Sequence, residues 1–325
     1  MLAYDWNDSL LYRNYLILGE QKIDLEDEIR AKEQIIWHQK LEIRTKEREL
    51  FRLELKLKNL EGKRRMDSNR NPNFSKTSTI YIITPTYARA SQKADLTRLS
   101  YTLSLVSNIY WIVVEDSDVT TDLVEKILIR SKIRYALLNA VTPTEYKLKL
   151  GDPSFRKPRG VAQRNEGLKW IRKNLSPDSK GIVYFADDDN TYDIRLFDEM
   201  RTIRKVGVWP VAFVGQLMVE RPKVENGRVT GYLVAWGPER HYAIDMAGFA
   251  VNLELILKSP QTFFSYNASR GFQETYLLRN LITGLHDLEP KADNCTKVYV
   301  WHTKTQRPNL LSEIKGVESD FGIEI

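Results

Sequence analysis

The sequence predicts an α/β protein, a doubly wound and mostly parallel sheet preceded by a helical stem. Three observations lead there. Short β-rich runs alternate with amphipathic stretches from Thr79 onward, a polar stretch carrying Gly62 and Pro72 precedes them, and a seven-residue apolar repeat runs from Ile29 to Leu57. At 325 residues with 42% hydrophobic content, the chain can hold one large α/β domain with an extension.

The stem comes first. Ile29, Ile36, Ile43, Leu50 and Leu57 form one stripe of a coiled-coil heptad. The second stripe is poor, with Lys32, Gln39 and Lys46 ahead of Leu53 and Leu60, so the helical stem over residues 1–61 is expected to pair only weakly with a copy of itself. Arg52 to Leu57 also alternates like a strand, but its Glu, Lys and Leu content favours helix. Residues 62–78 are the linker.

Strands are predicted at Thr79–Thr84, Tyr110–Val114, Ile133–Leu138 and Gly181–Ala186. The intervening helices are Leu96–Val106, Asp122–Arg130 and Gly160–Leu175. Sheets of this kind bind ligands beyond the carboxyl ends of their strands. Val219–Glu220 and Val229–Trp236 are predicted to flank a hairpin, because Asn226-Gly227 suits a type I′ turn.

Composition excludes several classes. The formal charge of +6 is spread thinly: residues 1–70 carry 15 Lys/Arg against 14 Asp/Glu, the rest 34 against 29. Only Lys63-Arg64-Arg65 is a basic run, which is not the clustered basic and aromatic surface of a nucleic-acid binder. A single cysteine, Cys295, rules out an internal disulfide framework and multi-cysteine metal sites. Mean hydropathy is −0.42, and no apolar run is long enough to span a bilayer. Met1 to Glu20 mixes apolar residues with Asp5, Asp8 and Arg13, which fits neither a signal peptide nor an anchor.

The chemistry centres on Asp187-Asp188-Asp189, directly after the strand ending at Ala186. Three adjacent carboxylates repel one another unless a cation neutralises them, and hard oxygen ligands at a sheet mouth suit Mg²⁺ or Mn²⁺ bridging to a diphosphate. Read alone, the triplet fits equally well an acidic turn capping a helix near Ile194. Other strand ends add to it. Pro85-Thr86-Tyr87 offers an aromatic face for a base, and Glu115-Asp116-Ser117 a carboxylate for a base or ribose. Arg159 and Arg164 flank a helix start, where guanidinium forks match carboxylates and phosphates, although Arg164 also suits an ordinary surface position.

Pro85-Thr86-Tyr87, Asp187-Asp188-Asp189, the run Ile244 to Ala250, Gly271-Phe272-Gln273-Glu274, the run Asp287 to Ala292, Asn294-Cys295-Thr296 and Trp301-His302-Thr303 together resemble the β-1,3-glucuronyltransferase family, over about Thr79 to the C-terminus. The resemblance implies a GT-A type fold, with a UDP-sugar-binding half over residues 79–190 and an acceptor-binding half over 191–325. It further implies donor contacts from Pro85, Thr86, Tyr87, Asp116, Arg159, Arg164, Asp187, Asp188, Asp189, His302 and Lys304, with Arg164 facing the glucuronate carboxylate and Asp189 as direct ligand of Mn²⁺, Mg²⁺ being the other candidate. Glu220, Trp236, Arg240 and Asp245 resemble the acceptor-binding set, and Glu274 resembles the catalytic base. Taken alone, Glu274 also suits a charge at a helix start.

The activity so implied is transfer of glucuronic acid from UDP-glucuronic acid to the 3-hydroxyl of a galactose, with inversion, in a homodimer of the Golgi lumen. One base and one metal suffice for a single in-line displacement. The acceptor implied is the Gal-Gal-Xyl linker of proteoglycans; N-acetyllactosamine-type glycans are the alternative within the fold, and a silent carbohydrate-binding scaffold the alternative outside enzymes. Three positions depart from the family pattern. Lys304 stands where arginine is expected, Ala162 where an acidic residue is usual, and Thr283 to His286 is one residue longer. Sequons at Asn7, Asn73, Asn174, Asn267 and Asn294 are compatible with a secretory route.

Overall fold

The computed structural model describes residues 78–148, 152, 156–314 and 319, together with residues 25, 28–40, 42, 43 and 46 of the N-terminal segment. The chain divides into two units, Met1–Lys76 and Thr77–Ile325. In the first, residues 28–40, 42, 43 and 46 are helical. Ile29, Ile36 and Ile43 are exposed along this helix, and the pairs Glu28–Lys32 and Glu42–Lys46 brace it one turn apart. Leu50, Leu53, Leu57, Leu60 and nearly all of the linker lie outside the described residues. Among the described residues no helix is long and apolar enough to cross a membrane.

The second unit is α/β. It opens with β1 (Thr79–Thr86), α1 (Gln92–Ser104), β2 (Ile109–Glu115), α2 (Asp122–Ser131), β3 (Arg134–Asn139), α3 (Val161–Asn174) and β4 (Gly181–Phe185). The predicted strands and helices are all present, with ends moved by one to four residues. β1 to β4 run parallel in the order β4-β1-β2-β3. The side chains of β1, β2 and β4 are buried on both faces because helices cover both, while the edge strand β3 is only partly buried. Ile80, Ile82, Trp111 and Val113 pack with Leu96, Leu99, Val124 and Leu128; Ile83, Ile112, Val114 and Phe185 pack with Leu168 and Ile171 of α3. Each such buried aliphatic side chain is worth about 1.5–3 kcal/mol.

The chain continues through β5 (Thr191–Tyr192), α4 (Arg195–Met200), β6 (Val206–Val208), β7 (Val211–Val214), β8 (Leu217–Glu225), β9 (Arg228–Leu233), β10 (Phe249–Asn252), α5 (Leu253–Lys258), α6 (Gln273–Arg279), β11 (Leu288–Pro290), β12 (Val300–Trp301) and α7 (Leu311–Ile314). The β8–β9 hairpin is the predicted one, and Asn226 and Gly227 both take the positive φ that a type I′ turn requires. The alternating pattern did not reveal the second sheet, ordered β5-β12-β7-β8-β9. Several of its strands are too short to show a period.

Two features of this topology build the site. Strand β10 runs antiparallel between β4 and β6, so the segment leading into it, Asp245 to Gly248, lies at the carboxyl end of β4. Tyr184 and Trp209 fix that segment by donating to the Ala247 carbonyl at 3.0 and 2.8 Å. Strand β12 sits between β5 and β7, which brings His302 beside the chain that leaves the Asp triplet. The His302 amide donates to the Ala212 carbonyl at 2.9 Å.

Candidate active site

The three consecutive aspartates meet three different fates. Asp187 pairs with Arg164 at 2.5 Å. Asp188 is buried, with one carboxylate oxygen accepting from the Thr86 hydroxyl at 2.7 Å and the other paired with Arg89 at 2.7 Å. Burial pushes its carboxyl up to about 6, against the pull of Arg89 and Thr86. Asp189 takes no hydrogen bond or ion pair on its carboxylate among the described residues; only its backbone carbonyl is engaged, by Thr303 at 2.7 Å and Arg98 at 3.5 Å. Burial first, then the charge of Asp187, raises its pKa. The acidic turn is therefore two neutralised carboxylates and one left available.

That arrangement fits a hard divalent cation. Among the described residues no three His, Cys, Asp or Glu side chains could enclose a metal by themselves. A small octahedral cation held by one carboxylate, with substrate phosphates and water completing its shell, needs no such enclosure. Helix capping does not account for the triplet, since the residue preceding α4 is Ile194, with no side-chain cap.

Around this centre lie the other donor-side candidates. Arg164 is buried on α3. It donates to the Arg159 carbonyl at 2.9 Å, and its Nε has no partner among the described residues. Gly160 turns the chain into α3 at φ +71°, and a Cβ there would strike the Arg164 guanidinium at 2.5 Å. Pro85 lines the same approach. Tyr87 is 49% exposed, with the Arg89 guanidinium 4.7 Å from its ring centre, so its ring remains open to a ligand. Asp116 accepts from the Thr142 amide and hydroxyl at 2.8 and 2.6 Å, while its neighbour Glu115 is consumed by Thr121. Arg159 and Lys304 are exposed; Lys304 is close enough for its charge to act on His302.

On the other side, His302 Nδ1 lies 3.1 Å from Asp245 Oδ2, joining a donor candidate to an acceptor candidate. Burial works to lower the His302 pKa, but Asp245 outweighs it and the net shift is upward. Burial works to raise Asp245, and His302 outweighs that in turn. Glu220 is buried on β8, accepts from the Ala235 amide at 3.4 Å, and is raised by burial, with Arg240, Asp245 and His302 all acting on it. Arg240 gives three of its five N–H groups to the carbonyls of Trp236, Gly237 and Gly271 at 3.0 to 3.1 Å and lies over the Trp236 ring.

Glu274 sits in the first turn of α6. Burial, then the charge of Asp245, pushes its carboxyl up to about 7, with Arg240 and Arg164 pulling the other way. Those couplings place Glu274 in one electrostatic field with the donor-side arginine and the acceptor-side pair. A carboxyl held near neutrality is half charged at physiological pH and suited to accept a proton.

Residues 99–306 match glycosyltransferase family 43. A galactosylgalactosylxylosylprotein 3-beta-glucuronosyltransferase of Caenorhabditis elegans is 50% identical over 270 residues, 82% of this chain and 76% of that protein. This chain belongs to glycosyltransferase family 43. Similarly named enzymes of Drosophila melanogaster and Homo sapiens are 50% and 49% identical, over 76% and 79% of this chain and 84% and 78% of theirs.

Arg89 is the site-region residue that no sequence pattern singled out. It bridges Asp188 and Asp95 at 2.7 and 2.8 Å, and Asp95 also takes Arg98 and Thr305. A signal existed: Asp95 falls on the apolar face of α1 with Leu96, Leu99 and Leu103, and a carboxylate at a core position demands a cationic partner.

Proposed function

We propose that this chain transfers glucuronic acid from UDP-glucuronic acid to the 3-hydroxyl of the terminal galactose of a Gal-Gal-Xyl acceptor, with inversion and with Mn²⁺, or Mg²⁺, on the donor diphosphate. The observation that carries this reading is the division of the carboxylates: Asp189 is unclaimed at the strand end, whereas Glu274 is tuned to about 7 beside Asp245 and Arg240.

Asp189 would hold the metal, which when bound neutralises charge on the departing UDP. Every other contribution comes from the chain. Tyr87 presents its open ring to the uracil, and the Arg164 guanidinium, held by Asp187, faces the glucuronate carboxylate. Glu220, Arg240 and Asp245 orient the galactose against Trp236. Glu274 accepts the 3-hydroxyl proton as that oxygen attacks the anomeric carbon from the face opposite UDP, which converts an α-linked donor into a β-linked product without a covalent intermediate. The names of the relatives support the linker acceptor over N-acetyllactosamine.

The proposal includes a homodimer of the Golgi lumen. The exposed Ile29, Ile36 and Ile43 at heptad spacing support pairing of the stem, and light scattering showing only monomer at micromolar concentration would remove that part. The reaction is tested by incubating UDP-glucuronic acid with a Gal-β1,3-Gal-β1,4-xyloside, with manganese and with chelator, beside UDP-glucose and an N-acetyllactosamine acceptor. Metal-dependent β-1,3-linked product on the xyloside is the expected result. No turnover of any combination by folded protein would discard the enzyme reading in favour of a carbohydrate-binding scaffold.

A further inference from the structure

The carboxylate of Asp95 ties the start of the α/β unit to its end. It is fully buried on α1, on the face that also carries Leu96 and Leu99, and a charge held there needs partners on both oxygens. Oδ2 takes local ones, the Arg89 guanidinium at 2.8 Å and the Ser91 hydroxyl at 2.9 Å. Oδ1 takes Arg98 at 2.9 Å and the hydroxyl of Thr305, 210 positions away. Thr305 belongs to the segment that follows β12 and carries His302 and Lys304, two of the donor-side candidates.

That segment is anchored on either side of Lys304. The Thr303 amide donates to the Trp301 carbonyl at 2.8 Å, a three-residue turn with His302 at its apex. The Thr303 hydroxyl donates to the Asp189 carbonyl at 2.7 Å and lies 3.1 Å from the Thr191 hydroxyl. On the far side, Arg98 Nη2 stands 3.3 Å from the Thr305 hydroxyl and 3.5 Å from the same Asp189 carbonyl. One guanidinium of α1 thus meets both Thr305 and the backbone of the proposed metal ligand. Lys304, between the two threonines, is exposed, and residues 306–312 beyond them are all exposed. Thr305 is therefore the last anchor of the segment among the described residues.

We propose that Thr305 is a positioning residue for the donor: clasped by Asp95 and Arg98, it holds the segment of His302 and Lys304 in place to receive the nucleotide sugar. This rests on the donor side of the reaction proposed above. Without the Thr305 hydroxyl no later contact secures the segment, so binding of the donor must also order it, at a cost in affinity. Thr305 acts through its neighbours, and the chemical step does not depend on it. Asp95 is less suited to a test, because it also holds Arg89, which pairs with Asp188.

The test is Thr305→Val, which keeps the shape of the side chain and removes its hydroxyl. Asp95 retains Arg89, Arg98 and Ser91, so the thermal midpoint should stay within a few degrees of wild type. UDP affinity, measured by calorimetry with Mn²⁺, and KM for UDP-glucuronic acid should each weaken roughly tenfold, the effect of ordering one residue that is no longer held. Both kcat and KM for the Gal-Gal-xyloside should be unchanged. Thr305→Ser, which restores the hydroxyl, should bring the donor constants back to within about twofold of wild type. Unchanged donor constants in Thr305→Val, equal losses on donor and acceptor, or a serine variant as weak as the valine one would overturn the positioning role while leaving the reaction standing. Failure of the wild-type protein to bind UDP would instead remove the donor reading, and this role with it.

Discussion

The two ends of the site handle negative charge in opposite ways. At the carboxyl end of β4, arginines neutralise two of three aspartates, Arg164 on Asp187 and Arg89 on Asp188, and one carboxylate remains. Around α6, the carboxylates keep company with one another. Burial first, with Asp245 adding to it, raises Glu274 and Glu220, while three N–H groups of Arg240 go to backbone carbonyls. In the proposed reaction the first environment would hold a cation carried by a diphosphate, and the second would tune a base. The difference lies in where the arginines point, since carboxylates are plentiful at both ends.

The largest effect should come from breaking the second end. Glu274→Gln should lower kcat by about 10²–10⁴-fold while leaving UDP affinity intact, as steady-state kinetics and calorimetry would show. In the unmodified protein, a base held at about 7 must be deprotonated to work, so kcat/KM should fall as pH drops below about 7 and level off above it. A flat profile between pH 5 and 8 would contradict the assignment. Breaking the first end acts through stability. Arg89→Ala leaves the buried Asp188 carboxylate without its cation, while Asp95 keeps Arg98, and should cost about 3–5 kcal/mol, read by thermal or denaturant unfolding. A smaller loss is expected from Gly271→Ala, where positive φ and the Trp236 ring both oppose a side chain. Roughly 1–3 kcal/mol of strain there should appear mainly as a raised acceptor KM. Smallest of all, Lys304→Arg should lower the donor KM a few-fold by replacing a point charge with a fork; an unchanged KM would place residue 304 outside the donor site.

Much of this was legible in the sequence. The parallel core showed because β1 to β4 are long enough to read as β-rich runs, with amphipathic helices between them, and the hairpin showed because Asn226-Gly227 is a local signal. The second sheet did not, as β5 and β12 are two residues each and owe their pairing to distant partners. Among site residues, the Asp triplet was visible from local spacing, but which aspartate remains free depends on Arg89 and Arg164, 99 and 23 positions away from their partners. The contact between His302 and Asp245 crosses 57 residues, so no local pattern could announce it. Placing both in one site came from resemblance, and the geometry that joins them came from β10 and β12.

The most direct test of the contrast is UDP binding, with and without Mn²⁺, in Asp189→Asn and Glu274→Gln measured side by side. Asp189→Asn should lose the manganese-dependent gain in UDP affinity, whereas Glu274→Gln should keep it in full despite its lost turnover. Retention of that gain by Asp189→Asn, or its loss in Glu274→Gln, would contradict the division of labour between the two ends.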